Sequence, residues 1–192
     1  MGSSGSFAGK SKIERQKALA DVISQNPFIT DVELASRLDV SVQTIRLDRL
    51  EMGIPEARER IRRLAHEAYS KVKALTAGEV IGQLISVKLG EEGTSILDTT
   101  PEMSFTRTRI VRGHHIFAQA NSLAVAIVDA EVVLTGSASI RFKKPVYAGD
   151  RLIATARVMS KEDGRHRVHV VTRVGNEEVF SGDFVMFTRE GL

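Results

Sequence analysis

The densest group of chemically capable side chains runs from Arg107 to Asn121, just before and within an alanine-rich apolar stretch. Arg112 and Gly113 stand where that stretch begins. A glycine at a helix start lets an anion approach the free backbone N–H groups, and the arginine supplies a positive charge. The sequence therefore predicts an anion site at Arg112 and Gly113. The alternative is an ion pair of Arg112 within the fold, with Gly113 only shaping the turn.

Metal binding and catalysis have weaker support in the same segment. His114 and His115 point to different sides of a helix, and no nearby carboxylate has a metal-ligand spacing. The chain has no cysteine, so thiolate metal sites and cysteine nucleophiles are excluded. Asn121, if buried, needs hydrogen-bond partners and can offer them to a ligand carbonyl. We therefore expect no catalytic residue, no metal and no cofactor, although a histidine that acts as a general base keeps an enzyme as the alternative.

A second polar group lies on a short helix near the start of the chain. Thr30 and Glu33 form a capping box for one helix, Ser41 caps the next, and Asp39 with Val40 makes the turn between them. Two short helices joined in this way are a helix-turn-helix, whose second helix reads DNA in the major groove. The polar residues of that second helix are Ser41, Gln43, Thr44, Arg46 and Arg49.

These side chain types suit base recognition. Arginine pairs with guanine and glutamine with adenine through two hydrogen bonds, and threonine contacts a thymine methyl group or a phosphate. A protein-interaction adaptor with a solvated polar face is the alternative. The exposed face is predicted to carry Gln43, Thr44, Arg46 and Arg49, and the inner face Val42, Ile45, Leu47 and Leu50.

The excess positive charge of the chain lies in one segment. Residues 10–53 hold seven basic and seven acidic side chains, residues 54–75 hold six and three, and residues 76–192 hold fourteen of each. Phosphate neutralisation supplies much of the affinity of DNA-binding proteins. We therefore expect the middle segment to touch the duplex backbone, with a solvated basic face over a dimer seam as the alternative. The contacts are expected to come from some of Arg58, Arg60, Arg62 and Arg63.

The same segment has the pattern of an amphipathic helix from Ile54-Pro55 to about Leu75, since proline fits a first helical turn. Its apolar residues follow a spacing close to a heptad, which needs a partner surface. If that helix docks either on a second copy or on the rest of the chain, a ligand can shift the choice and carry a signal. The apolar positions are Ala57, Ile61, Leu64, Ala68, Val72 and Leu75.

From Gly78 onward the chain has alternating, β-branched runs separated by turn residues, interrupted by one apolar helix from His114 to about Asp129. Val132–Thr135 and Ser139–Phe142 are predicted as separate strands. The fold class is α+β, with an antiparallel sheet around a central helix. The predicted organisation is an all-α helix-turn-helix domain at 10–53, an amphipathic linker helix at 54–77 and the sheet domain at 78–192, after an expression remnant at 1–9.

The cellular compartment is predicted from the lack of a long apolar run and the lack of cysteine in the sequence. No apolar run approaches the roughly 20 residues that a membrane-spanning helix requires. A chain without cysteine suits the reducing cytoplasm. We therefore expect a cytoplasmic protein with no membrane partner.

Particular motifs resemble known families. Residues 78–190 resemble the hotdog-fold acyl-thioester-binding proteins, above all through the segment IRFKKPVYAGDRL at 140–152. The chain from about residue 10 resembles the FapR family of repressors of bacterial fatty acid and phospholipid biosynthesis. That wider resemblance rests on TDVELA at 30–35, SVQTIRLDRL at 41–50, RGH at 112–114 and FAQANSL at 117–123.

The resemblance implies a homodimeric repressor that leaves its operator DNA, an inverted repeat, when malonyl-CoA binds the hotdog domain. It maps the ligand-binding positions onto Phe105, Arg112, Gly113 and Asn121. The arginine would meet the malonyl carboxylate, which acetyl-CoA lacks, and a buried arginine left unpaired discriminates between the two. Lys143 and Lys144 are candidate phosphate contacts, with an exposed basic hairpin as the simpler interpretation. An acyl-CoA thioesterase with an accessory DNA-binding domain is the competing function.

Overall fold

The structure is a computed structural model that describes residues 11–76 and 78–189. The chain forms two compact units, one up to Arg63 and one from Leu64 onward, so the division falls inside the predicted linker helix. The predicted expression remnant lies outside the described residues. None of the described helices is long and apolar enough to cross a membrane.

Residues 12–51 form α1 (Lys12–Gln25), α2 (Asp31–Leu38) and α3 (Val42–Glu51). Each helix begins at a hydroxyl cap, because the side chain before it accepts a backbone N–H bond, as predicted for α2 and α3. Asp39 makes the turn before α3 with a φ of 53°, a left-handed conformation that aspartate tolerates. The core between these helices contains Leu19, Ile23, Ile29, Leu34, Ala35, Leu38 and Ile45.

The next helix, α4 (Ala57–Tyr69), is shorter than predicted. The apolar pattern extended it to about Leu75, but beyond the helix the chain forms turns. Lys73 there pairs with Asp129 at 2.8 Å, and Val72 packs on the core of the second unit. Val72 and Leu75 pack on that core outside the helix, so tertiary packing overrides the helix propensity of the segment.

The described part of the second unit contains a six-stranded antiparallel sheet in the order β1-β2-β4-β5-β6-β3, which packs against a helix, α5 (Gly113–Ala126). The predicted α+β class is therefore confirmed. Two edges result, one at β1 and one at β3. The strands are β1 (Gln83–Lys88), β2 (Glu92–Asp98), β3 (Val132–Phe142), β4 (Arg151–Glu162), β5 (Arg165–Val174) and β6 (Glu177–Arg189).

The strand β3 is continuous, although the sequence pattern predicted two short strands there. Its pairing with β6 shifts register between Thr135 and Ser137, so a bulge joins the two halves. A Cβ at Gly136 would lie 2.1 Å from Cε2 of Phe187, so glycine lets that ring lie over the strand. Most β3 side chains are exposed.

The helix α5 lies in the centre of the second core and begins and ends close to where the sequence predicted. Its small residues Ala120 and Ala124 are fully buried, as is Leu123. Alanine lets the sheet approach the helix axis, where Phe180 and Phe184 of β6 fill the remaining space.

Candidate functional site

Two of the polar side chains predicted to lie on the exposed face of α3 are exposed, and a third is half-buried. Gln43 and Arg46 are exposed and Thr44 is half-buried. The Ser41 hydroxyl accepts a bond from the Thr44 N–H at 3.1 Å and lies 2.9 Å from Thr44 Oγ1, so these two hydroxyls cap the helix. Gln43 and Arg46 are therefore the side chains of α3 best placed to reach base edges.

Arg49 does not lie on that exposed face, and the prediction that placed it there is wrong. Arg49 is only 6% exposed, because it follows Ile45 by one helical turn and shares its inward face. Its Nε and Nη2 donate to the two carboxylate oxygens of Asp31 at 2.7 Å, and Nη1 donates to the carbonyl of Ile54 at 2.9 Å. Arg49 therefore joins α3 to α2 and to the chain that follows α3.

A carboxylate also occupies the inward side of α3, where apolar residues were predicted. Asp48 is 2% exposed and accepts bonds from Arg15 Nε and Nη2 at 2.6 and 3.0 Å. The hydrogen-bonded Arg15 lowers the pKa of Asp48, although burial alone would raise it. Leu47 and Leu50, predicted to lie inside, are exposed. Ion pairs rather than leucines therefore fasten this side of α3.

The basic side chains at the start of α4 include an exposed group and a buried one. Arg58, Arg62 and Arg63 are exposed, as predicted. Arg62 and Arg63 both pair with Glu59, at 2.9 and 3.4 Å. Exposed pairs of this kind contribute little to stability, so a phosphate group can replace the carboxylate as their partner.

Arg60 is the buried member, only 8% exposed, so of the four candidate arginines it is the one that is not available to the DNA backbone. Its guanidinium donates to the main-chain carbonyls of Pro27, Ile29 and Pro55 at 3.0, 2.6 and 2.5 Å. Burial lowers the pKa of Arg60. Arg60 therefore holds the start of α4 against the end of α1 and the start of α2.

A cavity of about 490 Å³ lies beside the first turn of α5. Phe105 and Gly113, two of the four predicted ligand positions, meet in its wall. A Cβ at Gly113 would lie 2.9 Å from Cζ of Phe142, so a larger residue would force that ring to move. The wall consists of Phe105, Ile110, Val111, Gly113, Ile116, Phe142, Lys143, Lys144, Pro145 and Val146.

Arg112, the third predicted ligand position, precedes the cavity residue Gly113 and is half-buried. Its Nη2 donates to the carbonyl of Glu102 at 2.6 Å and its Nε to that of Met103 at 3.4 Å. No ion pair links Arg112 to a carboxylate of the described residues. The guanidinium is thus oriented by main-chain oxygens without being neutralised.

Asn121, the fourth position, does not line this cavity. It is half-buried, and its Oδ1 accepts a bond from Thr135 Oγ1 on β3 at 2.7 Å. Because β3 is an edge of the sheet, Asn121 lies beside a strand that could take a further partner. The structure therefore brings Phe105 and Gly113 together and places Asn121 apart from them.

The two histidines at the start of α5 stack on each other, with ring centroids 4.1 Å apart. Burial, followed by the charges of His114 and Arg112, lowers the pKa of His115 and favours its neutral form. The sequence of α5 contains no carboxylate, and Gln119 Nε2 is buried against Ser95. In the described ranges, no group of three His, Asp or Glu residues could hold a metal ion.

Known proteins match the chain over most of its length. Residues 100–179 match the MaoC like domain. The transcription factor FapR of Geobacillus thermodenitrificans is 53% identical over 180 residues, which cover 93% of this chain and 91% of the relative. FapR of Thermoanaerobacter sp. strain X514 is 49% identical over 176 residues, covering 92% and 88%. The crystal structure of uncharacterized protein PH1136 from Pyrococcus horikoshii has a TM-score of 0.58 at 30% identity, covering 63% and 92%.

These similarities distinguish between the functions that the sequence left open. The match to the MaoC like domain and to the solved structure confirms the hotdog fold of the second unit. The relatives are named as transcription factors and not as enzymes, which favours a regulator over a thioesterase. The chain therefore belongs to the FapR family of transcription factors.

Proposed function

We propose that the protein acts in the cytoplasm as a homodimer that binds operator DNA and releases it when malonyl-CoA occupies the cavity beside α5. The observation that carries this proposal is that the Arg112 guanidinium is held by main-chain carbonyls and has no carboxylate partner among the described residues. Its guanidinium is fixed by the carbonyls of Glu102 and Met103 beside the first turn of α5. A fixed, half-buried cation beside a cavity whose charged wall residues are two lysines suits a ligand with a terminal carboxylate.

The choice of malonyl-CoA over other thioesters follows from the same cation. Malonyl and acetyl thioesters differ by one carboxylate, and a guanidinium can bind a carboxylate through two parallel hydrogen bonds. An acetyl group would leave Arg112 desolvated without an anion. Phe105 and Gly113 would then contact the thioester arm in the cavity, and Asn121 would contribute from the side of β3.

The proposed dimer uses β3, which is an edge strand of the sheet formed by the described residues. An edge strand offers backbone N–H and C=O groups to a second strand, and the exposed β3 side chains leave that edge accessible. Two copies paired through β3 would be related by a two-fold axis. A two-fold dimer with one helix-turn-helix on each copy matches an operator built as an inverted repeat.

For DNA binding, we propose that different residues of the first unit contact the bases and the phosphates. Gln43 and Arg46 would read base edges, while Ser41 and Thr44 would position the start of α3 against the backbone. Arg49 would act only by holding α3 in place. The phosphate contacts would come from Arg58, Arg62 and Arg63.

The proposal is tested by titrating the protein onto a fluorescent operator duplex from a fatty acid biosynthesis gene and following anisotropy. Malonyl-CoA should release the duplex, whereas acetyl-CoA at the same concentration should leave it bound. A scrambled duplex of the same length is the control for sequence recognition. Equal release by both thioesters, or by neither, would contradict the proposal.

A second experiment tests the phosphate role of α4. Replacing Arg62 and Arg63 by alanine should weaken operator binding and flatten the dependence of log affinity on log salt. The slope should fall by roughly 3 to 4 for a dimer that loses four phosphate contacts. The measurement is operator anisotropy over a series of salt concentrations.

The matched control for that experiment removes two exposed cations from the second unit, Lys88 and Arg157, each of which also pairs with a carboxylate. This control should leave the slope unchanged. If the Arg62 and Arg63 variant also keeps the full slope, those side chains are only a solvated face of α4.

A further inference from the structure

We propose that Lys143 and Lys144 form a subsite for the phosphate groups of the CoA nucleotide, and that Glu177 and Glu178 occupy this subsite when the ligand is absent. The inference rests on the proposed function, because it concerns the same cavity beside α5. It adds which side chains hold the nucleotide end of the ligand and what competes with that end.

The composition of the cavity wall points to this ligand chemistry. Lys143 and Lys144 are its charged members, and every other lining residue is apolar or glycine. A ligand that fills such a cavity needs an uncharged arm and an anionic end. An acyl-CoA has this form, since its pantetheine arm is uncharged and its nucleotide carries a pyrophosphate and a 3′-phosphate.

The two lysines are held by their backbone and not by burial of their side chains. The N–H of Lys143 donates to the Val179 carbonyl at 2.8 Å, which fastens the end of β3 to β6. The side chains themselves are 43% and 50% exposed. The ammonium groups are therefore free to change partner while their attachment points stay in place.

Each lysine has a carboxylate partner at the start of β6. Lys143 pairs with Glu178 and Lys144 with Glu177, next to the turn that joins β5 to β6. Exposed ion pairs of lysine and glutamate are weak, and they are screened by salt. The 3′-phosphate carries more charge than a carboxylate, and the nucleotide as a whole offers more acceptor oxygens, so it can displace these glutamates.

The displacement has a consequence for affinity. In the ligand-free state the glutamates neutralise the lysines, so the nucleotide must compete with them for the same ammonium groups. Removing the carboxylates should therefore strengthen binding, and removing the ammonium groups should weaken it. Both effects should require the phosphates, because the thioester arm meets the apolar wall.

The test compares malonyl-CoA with malonyl-pantetheine, which lacks the nucleotide, by calorimetric titration of the full-length protein. The double variant Lys143→Gln, Lys144→Gln should bind malonyl-CoA about 10- to 30-fold more weakly, as expected for two lost charge-assisted contacts. Its affinity for malonyl-pantetheine should change less than about 2-fold. The double variant Glu177→Gln, Glu178→Gln should bind malonyl-CoA roughly 3- to 10-fold more tightly, with malonyl-pantetheine unchanged.

The control is Lys88→Gln, which removes a lysine at the end of β1 that also pairs with an exposed carboxylate, Glu91 in the turn after β1. It should bind both ligands as the unsubstituted protein does. Equal weakening of both ligands in the lysine variant, or of neither, would overturn the subsite while leaving the proposed function intact. If the unsubstituted protein binds neither malonyl compound, the proposed function itself fails.

Discussion

Replacing Arg112 by alanine is expected to bring the affinities for malonyl-CoA and acetyl-CoA to within about 2-fold of each other, and to abolish release of operator DNA by malonyl-CoA. The loss for malonyl-CoA should be roughly 10- to 100-fold, as expected for one charge-assisted contact to a carboxylate. Acetyl-CoA should be little affected, since it has no carboxylate for the arginine to bind. Calorimetric titration of both thioesters measures the two affinities.

Two further variants control this result. Arg112→Lys keeps the charge but loses the two-pronged geometry, so it should retain part of the preference. Arg157→Ala removes an exposed arginine that pairs with Glu92 across the sheet, and it should retain all of the preference. If Arg112→Ala still binds malonyl-CoA much more tightly than acetyl-CoA, the arginine does not recognise the malonyl carboxylate.

Replacing Arg49 by alanine should destabilise the helix-turn-helix by about 3 kcal/mol, because Asp31 would lose the partner of a largely buried charge. The carbonyl of Ile54 would lose a donor as well. Hydrogen exchange of the α2 and α3 backbone amides in the full-length protein should accelerate by roughly 100-fold. Operator binding should fall as a consequence of this local opening.

The comparison with Arg46→Ala separates folding from recognition. Arg46 approaches the same Asp31 only at 3.8 Å and its side chain is mostly exposed. Its loss should therefore leave hydrogen exchange unchanged while operator affinity falls roughly 10- to 100-fold. If Arg49→Ala keeps normal exchange protection but loses operator affinity, Arg49 reads DNA after all.

The helices of the first unit were predictable because their signals are local. Thr30, Ser41 and Asp39 act within a few residues of their own positions, and the structure places them as caps and turn. The inward face of α3 was not predictable from spacing. Asp48 and Arg49 are buried because Arg15 and Asp31, distant in sequence, neutralise them. Burial of a charge depends on a partner that periodicity does not reveal.

The same limit applies to the second unit. The sequence pattern placed α5 correctly, and Phe105 and Gly113 do meet at one cavity. The pairing of Lys143 with Glu178 depends on the register of β3 against β6, which no local motif encodes. Beyond the early end of α4, Val72 and Leu75 pack on the core of the second unit, whose residues lie far along the chain.

The three hydrogen bonds from Arg60 to main-chain carbonyls determine where the helix-turn-helix can be cut out as a separate domain. A cut after Gly53, where the sequence pattern ends the helix-turn-helix, would leave the carbonyls of Pro27 and Ile29 without this donor. A cut after Arg63 keeps it and coincides with the boundary between the two compact units. Residues 54–63 therefore belong to the DNA-binding unit, fastened to it by Arg60 and by the bond of Arg49 to the Ile54 carbonyl. A rotation imposed on this segment is expected to rotate α3 with it.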